Sequence, residues 1–195
     1  MPNAADQPAP PPRTWRPMAL WSAAILAALG LAWLAAAVVT QLVQTRHEIR
    51  LCVASCRDAV EVRGPSTEKF AERTQLEAIE HLGGARSAVR RLRIFRHAPD
   101  WFAERGAQPD DLGNKDWAIL LLGHCGQPGA AELVPLLRGR PKRTQLLALM
   151  AAASLGPQGA EAAPFVEPIL ADEDSWLRAA AAAALKSIRG AEAGK

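Results

Sequence analysis

The longest apolar run of the chain lies near its N-terminus, between residues 18 and 39. This run contains 22 consecutive residues without a charge, and a helix of about 20 apolar residues is long enough to cross the hydrocarbon core of a bilayer. We therefore expect a single transmembrane helix over residues 18–39, which makes the lipid bilayer one partner of the chain. A cleaved signal peptide is the alternative, although its apolar region is usually only about 7 to 15 residues long.

The segments on either side of this run differ from each other. Residues 1–17 contain six prolines, a composition that predicts an extended or disordered tail. Residues 40–64 contain no glycine or proline before the last position, so we expect the membrane helix to continue through them as a helical stalk. The apolar seam of this stalk has Leu42, Ile49 and Cys56 at seven-residue spacing, a short heptad pattern that leaves a two-stranded stalk, and hence a homodimer, open.

Two cysteines of the stalk lie four residues apart. Cys52 and Cys56 share one helix face, so interchain disulfides across a parallel dimeric stalk are one hypothesis, provided that the compartment is oxidising. No His or acidic side chain nearby completes a four-ligand metal site, and the Cys-x-x-Cys-His motif of haem attachment is absent. The simplest interpretation is a pair of small apolar residues on a helix face. A Cys-dependent redox or assembly factor at the membrane is the alternative function that the pair leaves open.

Residues 66–195 repeat a pattern of two helices joined by a short turn. Leu82, Cys125, Leu155 and Leu185 occupy equivalent places at intervals of 43, 30 and 30 residues. Apolar residues three or four positions apart predict a helix in each segment. The alanine-rich composition, with no Tyr and only 5% aromatic residues, favours helices over strands. The predicted fold is all-α.

Two turns of this domain are nearly identical, and its last helix has a distinctive beginning. Gly126-Gln-Pro-Gly129 aligns with Gly156-Pro-Gln-Gly159, and the last unit reads Asp174-Ser-Trp-Leu-Arg178 before a run of alanines. The domain thereby resembles the HEAT-like repeats of the phycobilisome-lyase type. The resemblance implies a short α-solenoid of helical hairpins and, most often, a protein-binding surface; it does not imply an enzyme. Ala148 replaces the matching arginine in the preceding unit, so one repeat departs from the pattern.

Catalytic motifs are weak in this sequence. The only His-Glu pair, His47-Glu48, lies in the stalk, so the iron site that the resemblance to HEAT-like hydroxylases would imply is not expected. His124 and Cys125 are adjacent on a helix, where side chains point about 100° apart, and no acid is placed to orient the histidine. A net charge of +3 does not require nucleic acid as a partner. We predict no catalytic residues, no metal, no cofactor and no nucleic acid.

Two arginine-rich clusters are the candidate partner-binding surface. The first cluster comprises Arg86, Arg90, Arg91, Arg93 and Arg96. The second cluster lies at the next turn between repeats and comprises Arg138, Arg140, Lys142 and Arg143. One positive face built from both clusters would suit an acidic protein or anionic lipid head groups. An ordinary solvated helix surface is the alternative.

An insertion over residues 97–115 lengthens the first interval between repeats. Long loops in compact domains are often functional, and this one carries Trp101 and Phe102, residue types that frequently anchor interfaces. The alternative is that both side chains cover the exposed core of the first repeat.

These features predict a membrane-anchored protein-binding or scaffold subunit, accessory to a membrane complex. Arg13 and Arg16 precede the apolar run, while Arg46 and Arg50 follow it, so the charge rule leaves the orientation open. A short N-terminal tail with two arginines beside the membrane resembles a bacterial signal anchor. This resemblance implies a single-pass protein of the bacterial inner membrane with its repeat domain outside the cytoplasm.

Overall fold

The protein is all-helical wherever its structure, a computed structural model, describes it. The described residues are 15–61, 67–104, 112–139 and 141–190, and every regular element among them is a helix. The prediction of an all-α chain is therefore confirmed for this part. The chain divides into two compact units, of which the first ends at Thr40 and the second begins at Gln41.

Helix α1 (Trp15–Glu61) is the longest element, with 47 residues. It begins two residues before Pro17, so this proline lies in the first turn, where its missing N–H has no intrahelical partner to lose. The predicted proline-rich tail therefore ends earlier than expected, and its residues 1–14 lie outside the described part. Glu61 is the last described residue of the helix, and the predicted stop at Gly64 lies outside the described residues.

The described part of the first unit is the apolar half of α1. Its large side chains are exposed, among them Trp21 at 72%, Leu26 at 70% and Trp33 at 79%. The stretch Trp21–Ser55 of this helix is the one candidate among the described residues that is long and apolar enough to cross a membrane, judged by length and composition. Its most apolar window is 0% buried within the protein.

The second unit contains residues 41–61 of α1 and eight further helices of the described chain. These helices are α2 (Thr67–His81), α3 (Ala85–Arg96), α4 (Asp100–Ala103), α5 (Asn114–Leu122), α6 (Gly126–Leu137), α7 (Lys142–Leu155), α8 (Ala163–Val166) and α9 (Ser175–Gly190). Tight 3₁₀ turns flank α8 on both sides. Three prolines in this stretch, Pro157, Pro164 and Pro168, remove the backbone donors that a regular α-helix would use.

The helices of the repeated segments pack in a regular order. The first helices of successive segments contact each other, α5 against α7 and α7 against α9. The second helices do the same, α3 against α6 and α6 against residues 156–162. One hydrophobic core runs through these contacts, with Leu92, Phe95, Leu133 and Leu149 fully buried.

The repeated glycine turns have a common physical cause. Gly126 and Gly156 have φ values of 62° and 54°. This left-handed backbone conformation is strained for residues that carry a Cβ atom, and glycine adopts it freely. Three residues later, a Cβ atom on Gly129 would lie 2.1 Å from the carbonyl oxygen of Leu122, within the preceding helix. The glycines therefore allow each second helix to approach the end of the first helix closely.

The second half of α1 packs into this core. Thr45, Ile49 and Cys52 are 1%, 0% and 2% exposed, and Ile49 and Cys52 belong to the same buried cluster as the repeat helices. Polar contacts accompany this packing, since Nδ1 of His81 in α2 lies 3.1 Å from Oε2 of Glu48. At these positions, the stalk seam that was predicted to face a second chain is thus covered by the protein's own helices.

Candidate partner-binding surface

The first arginine cluster lies on α3, whose sequence divides the helix into two faces. Ala88, Leu92 and Phe95 are buried at three- and four-residue spacing, so the arginines occupy the remaining surface. Arg86 and Arg90 are exposed and Arg91 is half-buried. No carboxylate in the described ranges pairs with these three guanidinium groups.

The other end of the cluster has a different role. Arg93 and Arg96 approach the same carboxylate, that of Glu132 in α6, with N to O distances of 3.7 and 3.6 Å. The side chains of Arg96 and Glu132 are only 11% and 12% exposed. Arg96 therefore joins α3 to α6, and the uncompensated charge of the cluster is concentrated towards Arg86 and Arg90.

Residues of the second cluster form ion pairs between neighbouring repeats. Nη2 of Arg143 lies 2.5 Å from Oδ2 of Asp116 in α5, and Nζ of Lys142 lies 3.3 Å from Oδ2 of Asp174, just before α9. The guanidinium group of Arg138 lies over the ring of Phe165, 4.2 Å from its centroid. Arg140 lies outside the described residues. Nearby carboxylates thus compensate Lys142 and Arg143, in contrast to Arg86 and Arg90.

Arg96 of the first cluster lines a groove of about 360 Å³ between the end of α3 and the turn that precedes α7. Arg96 and His97 line one side of it, and Pro141 lines the other. Lys115, also in the lining, pairs with Asp100 at 2.5 Å. The groove is therefore lined by charges of both signs, most of which are paired. It is not a continuation of the positive surface of α3.

The insertion gives Trp101 and Phe102 different environments. Nη1 of Arg46 in α1 donates a hydrogen bond to the carbonyl oxygen of Phe102 at 3.1 Å, and its guanidinium carbon lies 4.7 Å from the centre of the ring. Phe102 is half-buried, as expected of a covering residue. Trp101 contacts Phe102 edge to face, with ring centres 6.0 Å apart, yet it is 77% exposed.

Polar contacts hold the two ends of the insertion together. The carboxylate of Glu104 accepts hydrogen bonds from the backbone N–H groups of Asn114 and Lys115, at 2.7 and 3.0 Å. The Asn114 side chain, which is buried, donates to the carbonyl oxygen of Ala103 at 2.7 Å. These bonds satisfy free donors at the start of α5 and fix α4 to it.

The described cysteines are buried. Cys52 lies in the core, while the side chain of Cys56 is outside the described residues, so their proposed disulfide stays a prediction. Burial raises the pKa of Cys125 to about 12 and lowers the pKa of His124, the latter partly offset by the charge of Glu72. The Cys125 thiol is therefore protonated at neutral pH, and a thiolate nucleophile is not available there.

No protein-family model, curated protein or solved structure matches this chain. The resemblance to HEAT-like repeats accordingly depends on the residues and helix contacts described above.

Several residues of this surface were not predicted from the sequence. Glu132, Asp116 and Asp174 neutralise arginines and a lysine that were expected to form a positive face. A signal was present, because Arg143 follows Asp116 by 27 residues and Asp174 follows Lys142 by 32, each close to one repeat interval. Trp176 on α9, 76% exposed, was likewise not singled out as a surface residue.

Proposed function

We propose that this protein is a single-pass membrane protein of the bacterial inner membrane whose short HEAT-like solenoid binds an acidic surface of another subunit. The observation that carries the proposal is the apolar half of α1, whose large apolar side chains are exposed between Trp21 and Val39. Its candidate window is 0% buried, although the remainder of the described chain forms a well-packed core.

A bilayer is the environment that accounts for this half of the helix. Each Å² of apolar surface left in water costs roughly 25 cal/mol, and Trp21, Leu26 and Trp33 are among many large side chains that expose most of their area. A helix satisfies its own backbone hydrogen bonds, which a membrane-spanning segment must do. A core helix of a soluble protein would instead bury at least one face.

The packing order supports the solenoid. Stacked helical hairpins require first helices to contact first helices and second helices to contact second helices, and α5, α7 and α9 follow this order, as do α3 and α6. The equivalent glycines Gly126 and Gly156 give successive hairpins the same turn. Such arrays present extended surfaces, and protein binding is their usual role.

The charge distribution supports an acidic partner. Arg86 and Arg90 are exposed without a described carboxylate beside them, whereas Lys142 and Arg143 are paired within the protein. Uncompensated surface charge contributes little to stability but accelerates and orients association with an oppositely charged surface. We therefore take the exposed side of α3 as the proposed binding surface.

The test replaces Arg86, Arg90 and Arg91 by Ser and follows cross-linking and co-purification of the full chain from detergent-solubilised membranes. The matched control replaces Arg73, Lys186 and Arg189 by Ser, which removes three positive charges from other exposed positions. We expect the α3 variant to lose its salt-sensitive partner and the control to retain it, with similar melting temperatures. Equal retention by both variants would contradict binding through α3.

The orientation is tested with C-terminal reporters. An alkaline phosphatase fusion should be active and a cytoplasmic fluorescent fusion dark if the solenoid lies outside the cytoplasm. The reverse pair of results would place the solenoid inside the cytoplasm.

A further inference from the structure

The first helices of the repeated segments present an equivalent face to the next helix of the stack. Equivalent places on this face, 30 residues apart, are held by Gly123, Ala153 and Ala183. A Cβ atom on Gly123 would lie 2.6 Å from the carbonyl oxygen of Ala151 in α7. The carbonyl oxygen of Ala153 accepts a 2.6 Å hydrogen bond from the hydroxyl group of Ser187 in α9. At the first two places, the following first helix therefore contacts this face.

A second place on the same face shows the same succession. It is held by Asp116 in α5, Leu146 in α7 and Trp176 in α9, again 30 residues apart. Asp116 pairs with Arg143 of α7, and Leu146 is partly buried against the core. Trp176, by contrast, is 76% exposed, and Ala183 is exposed as well. Helix α9 thus leaves open the positions at which α5 and α7 contact a neighbour.

The open face of α9 consists of four exposed residues. Trp176, Ala179, Ala183 and Lys186 follow one another at spacings of three, four and three residues, so they lie on one side of the helix. The buried residues of α9, which lie on the other side, are Leu177, Ala181, Ala184, Leu185 and Ile188. Because two of the four exposed side chains are alanines, a second helix can approach to about 8 Å between the axes.

This face is complementary to itself when two copies of α9 run antiparallel. With a twofold axis beside residue 181, Trp176 of each copy lies opposite Lys186 of the other, and Ala179 lies opposite Ala183. An ammonium group is attracted to the face of an indole ring. Glu173, before α9, and Lys186, near its end, are both exposed, and neither forms an ion pair within the described part of the chain. Antiparallel helices bring these ends of opposite charge together, whereas parallel helices would juxtapose like charges.

We propose that the open face of α9 binds the same face of a second copy of this chain, antiparallel and around a twofold axis beside residue 181. A twofold interface uses one patch on both copies, so the patch must complement itself. The contact continues the packing that α5 and α7 make within the chain. One pair of helices buries less surface than a standard protein interface, so the dimer is weak. This surface is different from the exposed side of α3.

Disulfide cross-linking of the full chain tests the pairing. In chains whose native cysteines are replaced by alanine, one copy carries Ala179→Cys and a second copy, with a different affinity tag, carries Ala183→Cys. In the antiparallel pair these two positions are level, whereas two copies of residue 179 are offset by about 6 Å along the axis. A disulfide requires Cα atoms within about 7 Å. The mixed dimer should therefore exceed either self-linked dimer by about tenfold.

A matched pair of tryptophans provides the control. Trp176 and Trp101 are 76% and 77% exposed. Trp176→Ala should lower the yield of the mixed dimer by about tenfold, as expected when an aromatic anchor of an interface is truncated, and Trp101→Ala should leave the yield unchanged. Absence of the mixed dimer, a preference for self-linked dimers, or equal yields from the two tryptophan variants would overturn the proposal.

A second measurement keeps the native cysteines. Sedimentation of the full chain in detergent and reductant should show self-association that increases with protein concentration. Trp176→Ala should shift this association to higher concentration by about tenfold, and Trp101→Ala should not shift it. Association that is the same in both variants and in the unaltered chain would contradict binding through α9.

Discussion

The two halves of α1 share one continuous helix and have opposite surroundings. In residues 21–40, side chains around the whole circumference are exposed and none is ionisable, as Trp21 and Trp33 illustrate. In residues 41–55, Thr45, Ile49 and Cys52 are buried on one face while charged residues occupy the others. Helical continuity therefore does not define the boundary between the two units. The boundary after Thr40 lies where side chains exposed on all sides give way to one buried face.

The largest expected effect comes from deleting the buried half. A fragment of residues 66–195 lacks the side chains of Ile49 and Cys52 that complete the core, whereas a fragment of residues 41–195 retains them. We expect the shorter fragment to unfold at a distinctly lower urea concentration in circular dichroism experiments. Its loss should exceed the roughly 2 to 5 kcal/mol typical of one large-to-small core substitution. Equal midpoints would show that residues 41–55 contribute nothing to the core.

A matched pair of isoleucines compares the halves within the full chain. Ile49 is 0% exposed and Ile25 is 57% exposed. Ile49→Ala should lower the free energy of unfolding by about 2 to 5 kcal/mol, because it leaves a cavity. Ile25→Ala should change the unfolding of the second unit little. Denaturation of both variants in the same detergent measures the contrast, and a reversed order would contradict the assignment of the two halves.

A matched pair of leucines tests membrane insertion. Leu29 and Leu51 are both exposed, at 61% and 49%. Leu29→Arg should oppose insertion by about 2.5 to 3.5 kcal/mol, the cost of arginine near the centre of a membrane helix. Leu51→Arg should have no such effect. The fraction of each variant that stays in the membrane during alkaline extraction measures its insertion. Equal extraction of the two variants would contradict a membrane boundary between residues 29 and 51.

The smallest expected effect is a pH dependence confined to the second unit. Burial lowers the pKa of His124, so the unfolded chain takes up the proton first as the pH falls, near the ordinary histidine pKa. Stability is therefore present above that value and is lost as the pH falls towards the folded pKa. The melting temperature should decrease between about pH 8 and about pH 5, and less so in His124→Gln. Membrane retention should not change, because residues 21–40 contain no titratable side chain.

Local patterns were sufficient to predict the long apolar helix and the helices of the repeated segments, but not α4, which lies in the insertion that was expected to be a loop. An uninterrupted apolar run, apolar residues at helical spacing and the glycines of the repeated turns are properties of short segments. The seam of Leu42, Ile49 and Cys56 was also recognisable from the sequence. However, a buried helix face has the same pattern whether a second chain or the protein's own helices cover it. The core that receives this seam is formed by helices far along the chain.

Contacts between distant residues account for the remainder of the site. Arg46 binds Phe102 across 56 positions, and Arg143 binds Asp116 across 27. Clustered arginines predict a positive surface only if no carboxylate from another element reaches them, and for Arg96 and Arg143 such a carboxylate exists. Arg143 and Asp116 have opposite charges about one repeat apart, and this spacing is a sequence signal for their ion pair.

We propose that one helix passes from a bilayer into a protein core within a few residues, and a cysteine scan can follow this passage residue by residue. Single cysteines from residue 24 to residue 54, introduced into a chain without its native cysteines, are reacted with a water-soluble maleimide in intact membranes. We expect no labelling before residue 40, followed by a helical period in which positions 43, 47 and 51 react and positions 45, 49 and 52 do not. Labelling throughout the apolar half, or uniform labelling beyond residue 41, would contradict it.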